Sequence, residues 1–373
     1  MRTRAFRKIE LFAGDGGGIQ AGLLQGHKTV LACEIEPYAH AVLAARQADG
    51  CLPRFPVAPD VTKLHVHEFA GKVDLVCGGS PCQDISAAGK GQGLTGPKSK
   101  LVWEMIRVAE ECGAGYLFLE NSDRLRTKGL NQIIISLYGL GYDRIAWVTL
   151  GAAHVGAPHL RKRMWLLAYR SGGRRARLSL PDELQANGSV LHGAVSHFKG
   201  VKTDNAPLPT LIASDAQAAG NRPDPTLWSL SDVLGITSKH TRHGKLYPTP
   251  VRSDFKGHSG AGMARLMELR SRPLRDVLPY EEGGTCINPE WAEWLMGWAP
   301  GWTDPTTPCT SLAEWRKLTL DGKWWTDGVE ERVLPRTLDK RPPGYQDRIK
   351  ALGNGQVPLC AAAAFQHLLK QVR

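Results

Sequence analysis

The stretch Val73-Asp74-Leu75-Val76-Cys77-Gly78-Gly79-Ser80-Pro81-Cys82-Gln83 is a short apolar run that ends in two glycines and a Pro-Cys-Gln triplet. A second apolar run, Tyr116-Leu117-Phe118-Leu119, ends in Glu120-Asn121. About one strand–helix–strand unit separates Cys82 from Glu120. If both runs are parallel, adjacent strands, the thiol and the carboxylate emerge on the same sheet edge. That edge, at the carboxyl ends of the strands, is where open α/β sheets bind ligands. A nucleophile and a proton-handling carboxylate would then share one pocket.

Working outward, residues 1–169 alternate short apolar runs with helical stretches. Ile9–Ala13, Thr29–Cys33, Val73–Cys77, Tyr116–Leu119, Ile145–Leu150 and Met164–Ala168 read as strands. Pro37–Gln47, Lys100–Cys112 and Leu130–Leu140 read as helices, and Asp347–Gln371 as helical around Gly353-Asn354-Gly355. Such alternation predicts a parallel or mostly parallel sheet. Composition changes at Tyr169. Residues 170–285 are rich in Pro, Gly, Asp and Ser, and read as a second, irregular domain. They hold a faint repeat, Pro209–Asp215 against Pro248–Asp254 and Leu230–Leu234 against Leu274–Leu278. Trp291, Trp294, Trp298 and Trp302 recur at helical spacing, which predicts a core stripe.

The first candidate binding element is Glu10-Leu11-Phe12-Ala13-Gly14-Asp15-Gly16-Gly17-Gly18, a strand running into a glycine-rich turn. Glycines permit a tight turn and close approach of a ligand. Alone, such a turn could hold a nucleotide, a flavin or nothing. The loop has no Lys or Arg to meet phosphate, and Glu10 and Asp15 flank it, which favours an adenosyl ligand without a pyrophosphate. Phe12 could offer an aromatic face to a base. Glu34 ends the next strand about twenty residues on, a position suited to ribose hydroxyls. Asp60 could accept from an adenine amino group or simply cap the next turn. Gly89, Gly91, Gly93 and Gly96 with Ser86, Lys90 and Lys98 make the composition of a lid beside Cys82. Arg161 and Arg163 would share one face of a strand and could clamp an anion near the pocket.

Lys and Arg number 47 against 36 Asp and Glu, a formal charge of +11, which favours a polyanionic partner such as nucleic acid. The 8 cysteines form no Cys-x-x-Cys pair and no Cys/His cluster with zinc-ligand spacing, so no metal is expected. No apolar run approaches a membrane span, and a reduced cytoplasmic compartment is the simple expectation.

Taken in order, the Phe-Ala-Gly-x-Gly-Gly turn, Pro-Cys-Gln, Glu-Asn, Arg-x-Arg and the late Gly-Asn resemble the ordered motifs of the DNA cytosine-5 methyltransferase family of bacteria and phages. The resemblance covers the catalytic half and the C-terminus, and Leu295-Met296-Gly297 extends it. It implies an α/β, Rossmann-like S-adenosylmethionine-dependent methyltransferase domain, 1–169 plus 343–373, and a smaller irregular target-recognition domain within 170–342. It also implies S-adenosyl-L-methionine as cofactor, cytosine in double-stranded DNA as substrate, and monomeric action; it leaves any companion restriction endonuclease open. Cys82 would be the nucleophile and Glu120 the acid, with Asn121 supporting the loop and Arg161 and Arg163 orienting Glu120 and the base. Phe12, Ala13, Gly14, Gly16, Gly17, Glu34, Ile35, Asp60, Pro81, Leu101 and Asn354 would line the cofactor. Gln83, Ser86 and Lys90 would face DNA. His159 and Ser122 stand where the family usually has glutamine and valine, Asp15 adds charge inside the turn, and Thr303–Arg341 is longer than expected between the last two motifs.

Three other readings stay open. An RNA cytosine methyltransferase would use the same motifs, although the large variable region with its basic entry favours DNA. A catalytically inactive DNA-binding relative is opposed by the intact Cys82, Glu120 and Arg163. A nicotinamide dehydrogenase accounts for the glycine turn and Glu34, but not for Pro-Cys-Gln or Glu-Asn.

Overall fold

The computed structural model describes residues 5–81, 101–127, 129–172, 286–325 and 334–373. In chain order the main elements are β1 (Arg7–Leu11), α1 (Gly17–Gln25), β2 (Lys28–Cys33), α2 (Pro37–Ala48), β3 (Val57–Ala58), β4 (Leu75–Gly79), α3 (Leu101–Cys112), β5 (Tyr116–Asn121), α4 (Leu130–Gly139), β6 (Arg144–Leu150), β7 (Arg163–Tyr169), β8 (Cys286–Ile287), α5 (Pro289–Met296), α6 (Leu312–Leu320), β9 (Thr337–Leu338), α7 (Tyr345–Asn354) and α8 (Pro358–Val372).

Among the described residues, seven strands form one sheet in the order β3-β2-β1-β4-β5-β7-β6. The first five run parallel, and β7 inserts antiparallel between β5 and β6. The chain order reverses between β1 and β4, the topological switch point at which such sheets bind ligands. The central strands are covered on both faces, which is why they read as continuous apolar runs rather than as alternating ones.

The expected elements are present with shifted ends. β1 stops at Leu11, two residues early, because Phe12 adopts a left-handed backbone with φ 53° and turns the chain. α3 buries Val102, Met105, Ile106, Ala109 and Cys112, an i, i+3, i+4, i+7 stripe laid against one face of the sheet. The C-terminal helical segment is broken in two. α7 ends at Asn354, Gly355 leaves in an extended conformation, and Pro358 restarts the chain as the first residue of α8. α8 is buried along nearly its whole length against the other face.

Trp291, Trp294, Trp298 and Trp302 are each at most 1% exposed, so the tryptophan stripe is core. It shares one core with α1 and α8, so residues 286–309, placed in the smaller domain on sequence grounds, pack with elements of the larger one. Indole N–H groups stitch the layer to backbone carbonyls: Trp298 donates to Gln356 O at 2.8 Å, Trp315 to Gly297 O at 3.1 Å, and Trp302 to Asp15 O. Arg46, fully buried on α2, donates to the carbonyls of Gly301, Trp302, Asp304 and Thr307 at 2.6–3.0 Å, and its Nε lies 3.0 Å from Asp49. A guanidinium has the donors in fixed geometry to hold such a loop. The faint repeat and the glycine-rich stretch after Cys82 lie outside the described residues.

Candidate active site

β4 and β5 are adjacent and parallel, with Gly79 in register with Glu120. Glu120 therefore reaches the sheet edge where β4 delivers Ser80 and Pro81. Asn121 fixes that segment: its Nδ2 donates to Ser80 O at 3.1 Å and to Ser80 Oγ at 3.0 Å, while its Oδ1 accepts from Ser122 N. Pro81, half-buried, is the last described residue there. Cys82, Gln83, Ser86 and Lys90 lie outside the described residues.

Glu120 Oε1 lies 2.9 Å from Nε of Arg163, the first residue of β7, and the carboxylate is 12% exposed. Burial raises its pKa above the ordinary glutamate value; Arg163 and Arg161 oppose that rise without cancelling it. Glu120 thus holds its proton to higher pH than a solvated glutamate.

Arg161 is placed differently from its sequence expectation. It precedes β7, with a backbone φ of 23°, so it does not share a strand face with Arg163. Its guanidinium donates to Gly353 O at 3.1 Å and to Gly355 O. Arg163 meets the acid, while Arg161 pins the turn between α7 and α8.

The glycine turn lies alongside. Gly14 takes φ 50°, and its N–H donates to Glu34 Oε2 at 2.7 Å. The other oxygen of Glu34 accepts from Ile35 N at 2.8 Å and from Glu36 N at 3.0 Å. Glu34 therefore ties the end of β2 to the turn. Ala13 N donates to Cys33 O at 3.0 Å and completes the joint. Gly17 lies against the backbone of Gln356, about 3.0 Å from where its Cβ would be. The segment after Asn354 thus returns beside the turn, with Asn354 itself exposed at the end of α7. Ile35 is 69% exposed at the mouth. Phe12 and Leu101 pack half-buried at the edge of the α3-side core. Asp60 caps the turn that follows it, accepting from Thr62 N at 2.9 Å and from Thr62 Oγ1 at 2.7 Å, bonds that lower its pKa.

Two observations test the turn as a cofactor cradle. A Cβ on Gly14 would meet nothing within 4 Å, so the turn opens onto free space. Asp15 is buried with its Oδ2 unpartnered among the described residues, and burial together with the nearby Glu34, Asp347, Glu293 and Glu36 pushes its pKa well up. With Glu34, Glu36 and Asp347 near the turn and no cation in the loop, the surroundings suit a cationic adenosyl ligand and oppose a pyrophosphate.

Sequence reasoning missed a buried network behind Glu120. Lys8 Nζ lies 2.6 Å from Glu10 Oε2 and donates to Gly18 O at 2.8 Å, and Cys77 Sγ donates to Glu10 Oε2 at 3.0 Å. Lys8 and Glu10 are each 2% exposed. Two charges at i and i+2 of an apolar run share one strand face, and that was the available signal. Elsewhere, His65, His67 and Glu111 bring possible ligand atoms within 4.8 Å of one another. Arg107 already engages Glu111, and a guanidinium there opposes a metal cation.

The family model described as C-5 cytosine-specific DNA methylase matches residues 6–204, more than half of the chain. The type II methyltransferase M.CviJI of Paramecium bursaria Chlorella virus IL3A is 35% identical over 167 residues, 44% of each chain. The type II methyltransferase M.MspI of Moraxella sp. is 31% identical over 201 residues, 52% of this chain and 46% of the other. The matched segments thus span about half the length of these curated relatives. Among solved structures, the Entamoeba histolytica methyltransferase EhMeth matches over the whole of both chains with a TM-score of 0.54 and 13% identity. The S. pombe Dnmt2 methyltransferase matches over 98% of each chain with a TM-score of 0.50 and 15% identity. At such identity these two establish the fold, a Rossmann-like methyltransferase sheet.

Proposed function

Because the chain belongs to the C-5 cytosine-specific DNA methylase family, we propose that it transfers a methyl group from S-adenosyl-L-methionine to carbon 5 of a cytosine in duplex DNA. The observation that carries this reading is Glu120, held by Arg163 and burdened by burial, at the edge to which β4 leads Pro81, the residue before Cys82 in the sequence.

S-adenosylmethionine, when bound, supplies an electrophilic methyl group; Glu34, Gly14 and the face beside Phe12 and Ile35 would hold it. The Cys82 thiolate adds to carbon 6 of the base, and the displaced electron pair reaches ring nitrogen 3, where Glu120 donates its proton. Carbon 5 becomes enamine-like and nucleophilic. Once it is methylated, a base removes the carbon 5 proton, the double bond re-forms, Cys82 leaves as thiolate and ring nitrogen 3 returns its proton to Glu120. Asn121 keeps Ser80, at the end of β4, in place against β5.

The target base is inaccessible within a duplex and must be flipped out, which costs roughly a few kcal/mol. Gln83, Ser86 and Lys90 are assigned to the DNA side. The catalytic unit is assigned to 1–169 plus 343–373, with base readout within 170–285. Among the described residues no helix is long and apolar enough to cross a membrane.

The test is transfer from labelled S-adenosylmethionine to mixed-sequence duplex DNA, wild type beside Cys82→Ser, followed by bisulfite sequencing. Methylcytosine at a recurring word, lost in the variant, is the expected result. Transfer to tRNA and to no duplex would overturn the DNA assignment in favour of the RNA reading.

A further inference from the structure

β4 carries two glycines, Gly78 and Gly79, where it passes between β1 and β5. The missing side chains leave a slot. A Cβ on Gly79 would lie 2.5 Å from Glu120 Oε2 and 3.1 Å from Gln356 Nε2. Across the slot, a Cβ on Gly18 would lie 2.0 Å from Glu10 Oε1 and 3.3 Å from Gln356 Oε1. The carboxamide of Gln356 therefore spans the slot, its nitrogen toward Glu120 and its oxygen toward Glu10. A cavity lined by Lys8, Glu10, Cys77, Glu120 and Gln356 runs through this point.

Among the described residues the carboxamide has no direct hydrogen-bond partner, whereas the main chain of Gln356 is firmly held. Its carbonyl accepts from Trp298 Nε1 at 2.8 Å, and its backbone packs on Gly17. The side chain is thus delivered to the slot by a fixed backbone, and a polar cavity with partners on both walls accommodates a bridging water. Arg163 grips Glu120 on Oε1. The other oxygen, Oε2, is the one that faces Gly79 and Gln356.

We propose that Gln356 is a positioning residue for Glu120: its Nε2–H groups, through one water in this cavity, hold Oε2 while Arg163 holds Oε1. The two grips fix the plane of the carboxyl so that it addresses the ring of the flipped base. This deepens the function proposed above and rests on it. Among the described residues, the charged and titratable groups that face Glu120 or line the cavity with it are Arg163 of β7, Arg161 of the preceding turn, Lys8 and Glu10 of β1, His27 of the turn between α1 and β2, and Cys77 of β4.

The experiment compares the full-length protein with Gln356→Met, which keeps the length of the side chain and removes its donors. Thermal midpoint and S-adenosylhomocysteine affinity serve as controls. The expected result is a kcat about tenfold or more lower, in line with one lost hydrogen bond to a reacting group. KM for DNA and cofactor affinity stay within about threefold. The alkaline limb of the pH–rate profile moves to higher pH, because a donor to the carboxylate form has gone. A second readout needs no turnover: the carboxyl carbon of Glu120, followed by NMR in protein labelled at glutamate and assigned with Glu120→Gln, titrates at higher pH in Gln356→Met than in the wild type. An inactive wild type would overturn the proposed function and leave this titration to judge Gln356. Unchanged kcat with an unmoved titration would overturn the positioning role, as would a loss of kcat matched by an equal loss of cofactor affinity.

Discussion

Replacing Lys8 with Met removes one partner of a buried ion pair and leaves the other. Lys8 and Glu10 are each 2% exposed, their charged atoms are 2.6 Å apart, and both lie on the face of β1 that carries the central core. Nζ also satisfies Gly18 O at 2.8 Å, and Cys77 Sγ donates to the same Glu10 oxygen at 3.0 Å. After Lys8→Met the Glu10 carboxylate keeps only a weak thiol donor, and breaking one side of a buried pair costs about 3–5 kcal/mol. Against a folding free energy on the order of 5–15 kcal/mol, that is a large fraction. The double replacement Lys8→Met with Glu10→Leu leaves no charge behind, and similar replacements elsewhere are close to neutral or stabilising. Glu10→Leu alone strands the Lys8 ammonium at a similar cost of about 3–5 kcal/mol, so with the double variant within about 1–2 kcal/mol of the wild type the coupling is expected at about 4 kcal/mol or more. Urea unfolding, followed by the fluorescence of the buried tryptophans, measures all four corners of the cycle. Additive losses would refute the reasoning, because they would show that Glu10 does not depend on Lys8. A Lys8→Met loss below about 1 kcal/mol would do the same, since it would place the pair in water.

The glycines of the turn separate into two kinds. Gly14→Ala places a methyl in open space at φ 50°, so it should cost about 1–2 kcal/mol of strain yet abolish cofactor binding by calorimetry. Gly18→Ala drives a Cβ to within 2.0 Å of Glu10 Oε1 and should cost more stability than Gly14→Ala in the same urea assay. Arg46→Met removes the donor to four loop carbonyls and should destabilise by about 3 kcal/mol or more; proteolysis near Thr303 should rise with it. Burial lowers the pKa of His27 and of His159 to about 3, with Lys8 and Arg161 respectively adding to the shift. The unfolded chain protonates first as pH falls, so their contribution is complete above about pH 6.5 and is lost below it. The slope is up to about 1.4 kcal/mol per pH unit per histidine, and His27→Gln should flatten the acid side of a plot of thermal midpoint against pH.

What could be read from the sequence, and what could not, divides along a physical line. Short apolar runs closed by glycine or by a lone carboxylate report burial and sheet edge, so the placement of Glu120, Asn121, Glu34 and the glycine turn followed from local pattern alone. Strand direction leaves no such trace, because Met164–Ala168 has the same composition whether it runs with β5 or against it, and β7 proved antiparallel. Interactions made by long polar side chains across large sequence separations were likewise silent. Arg46 holds a loop 255 residues away or more, and Arg161 holds the turn at Gly353 from 192 residues away. Neither distance has a local correlate.

Gln356 shows where the line falls. Its neighbours Gly353-Asn354-Gly355 were legible as a motif, but its own role depends on two glycines on other elements, Gly18 and Gly79, leaving room for its carboxamide. A glycine in a sequence advertises a possible turn; here Gly79 lies within a strand with nothing left-handed about its backbone, and its information is the volume it declines to fill. Any side chain at Gly79 would displace Glu120 from the pocket or Gln356 from the slot. Glu120, the end of β4 and the returning C-terminal turn are therefore specified jointly, and a substitution at one should be tolerated only with a compensating change at another.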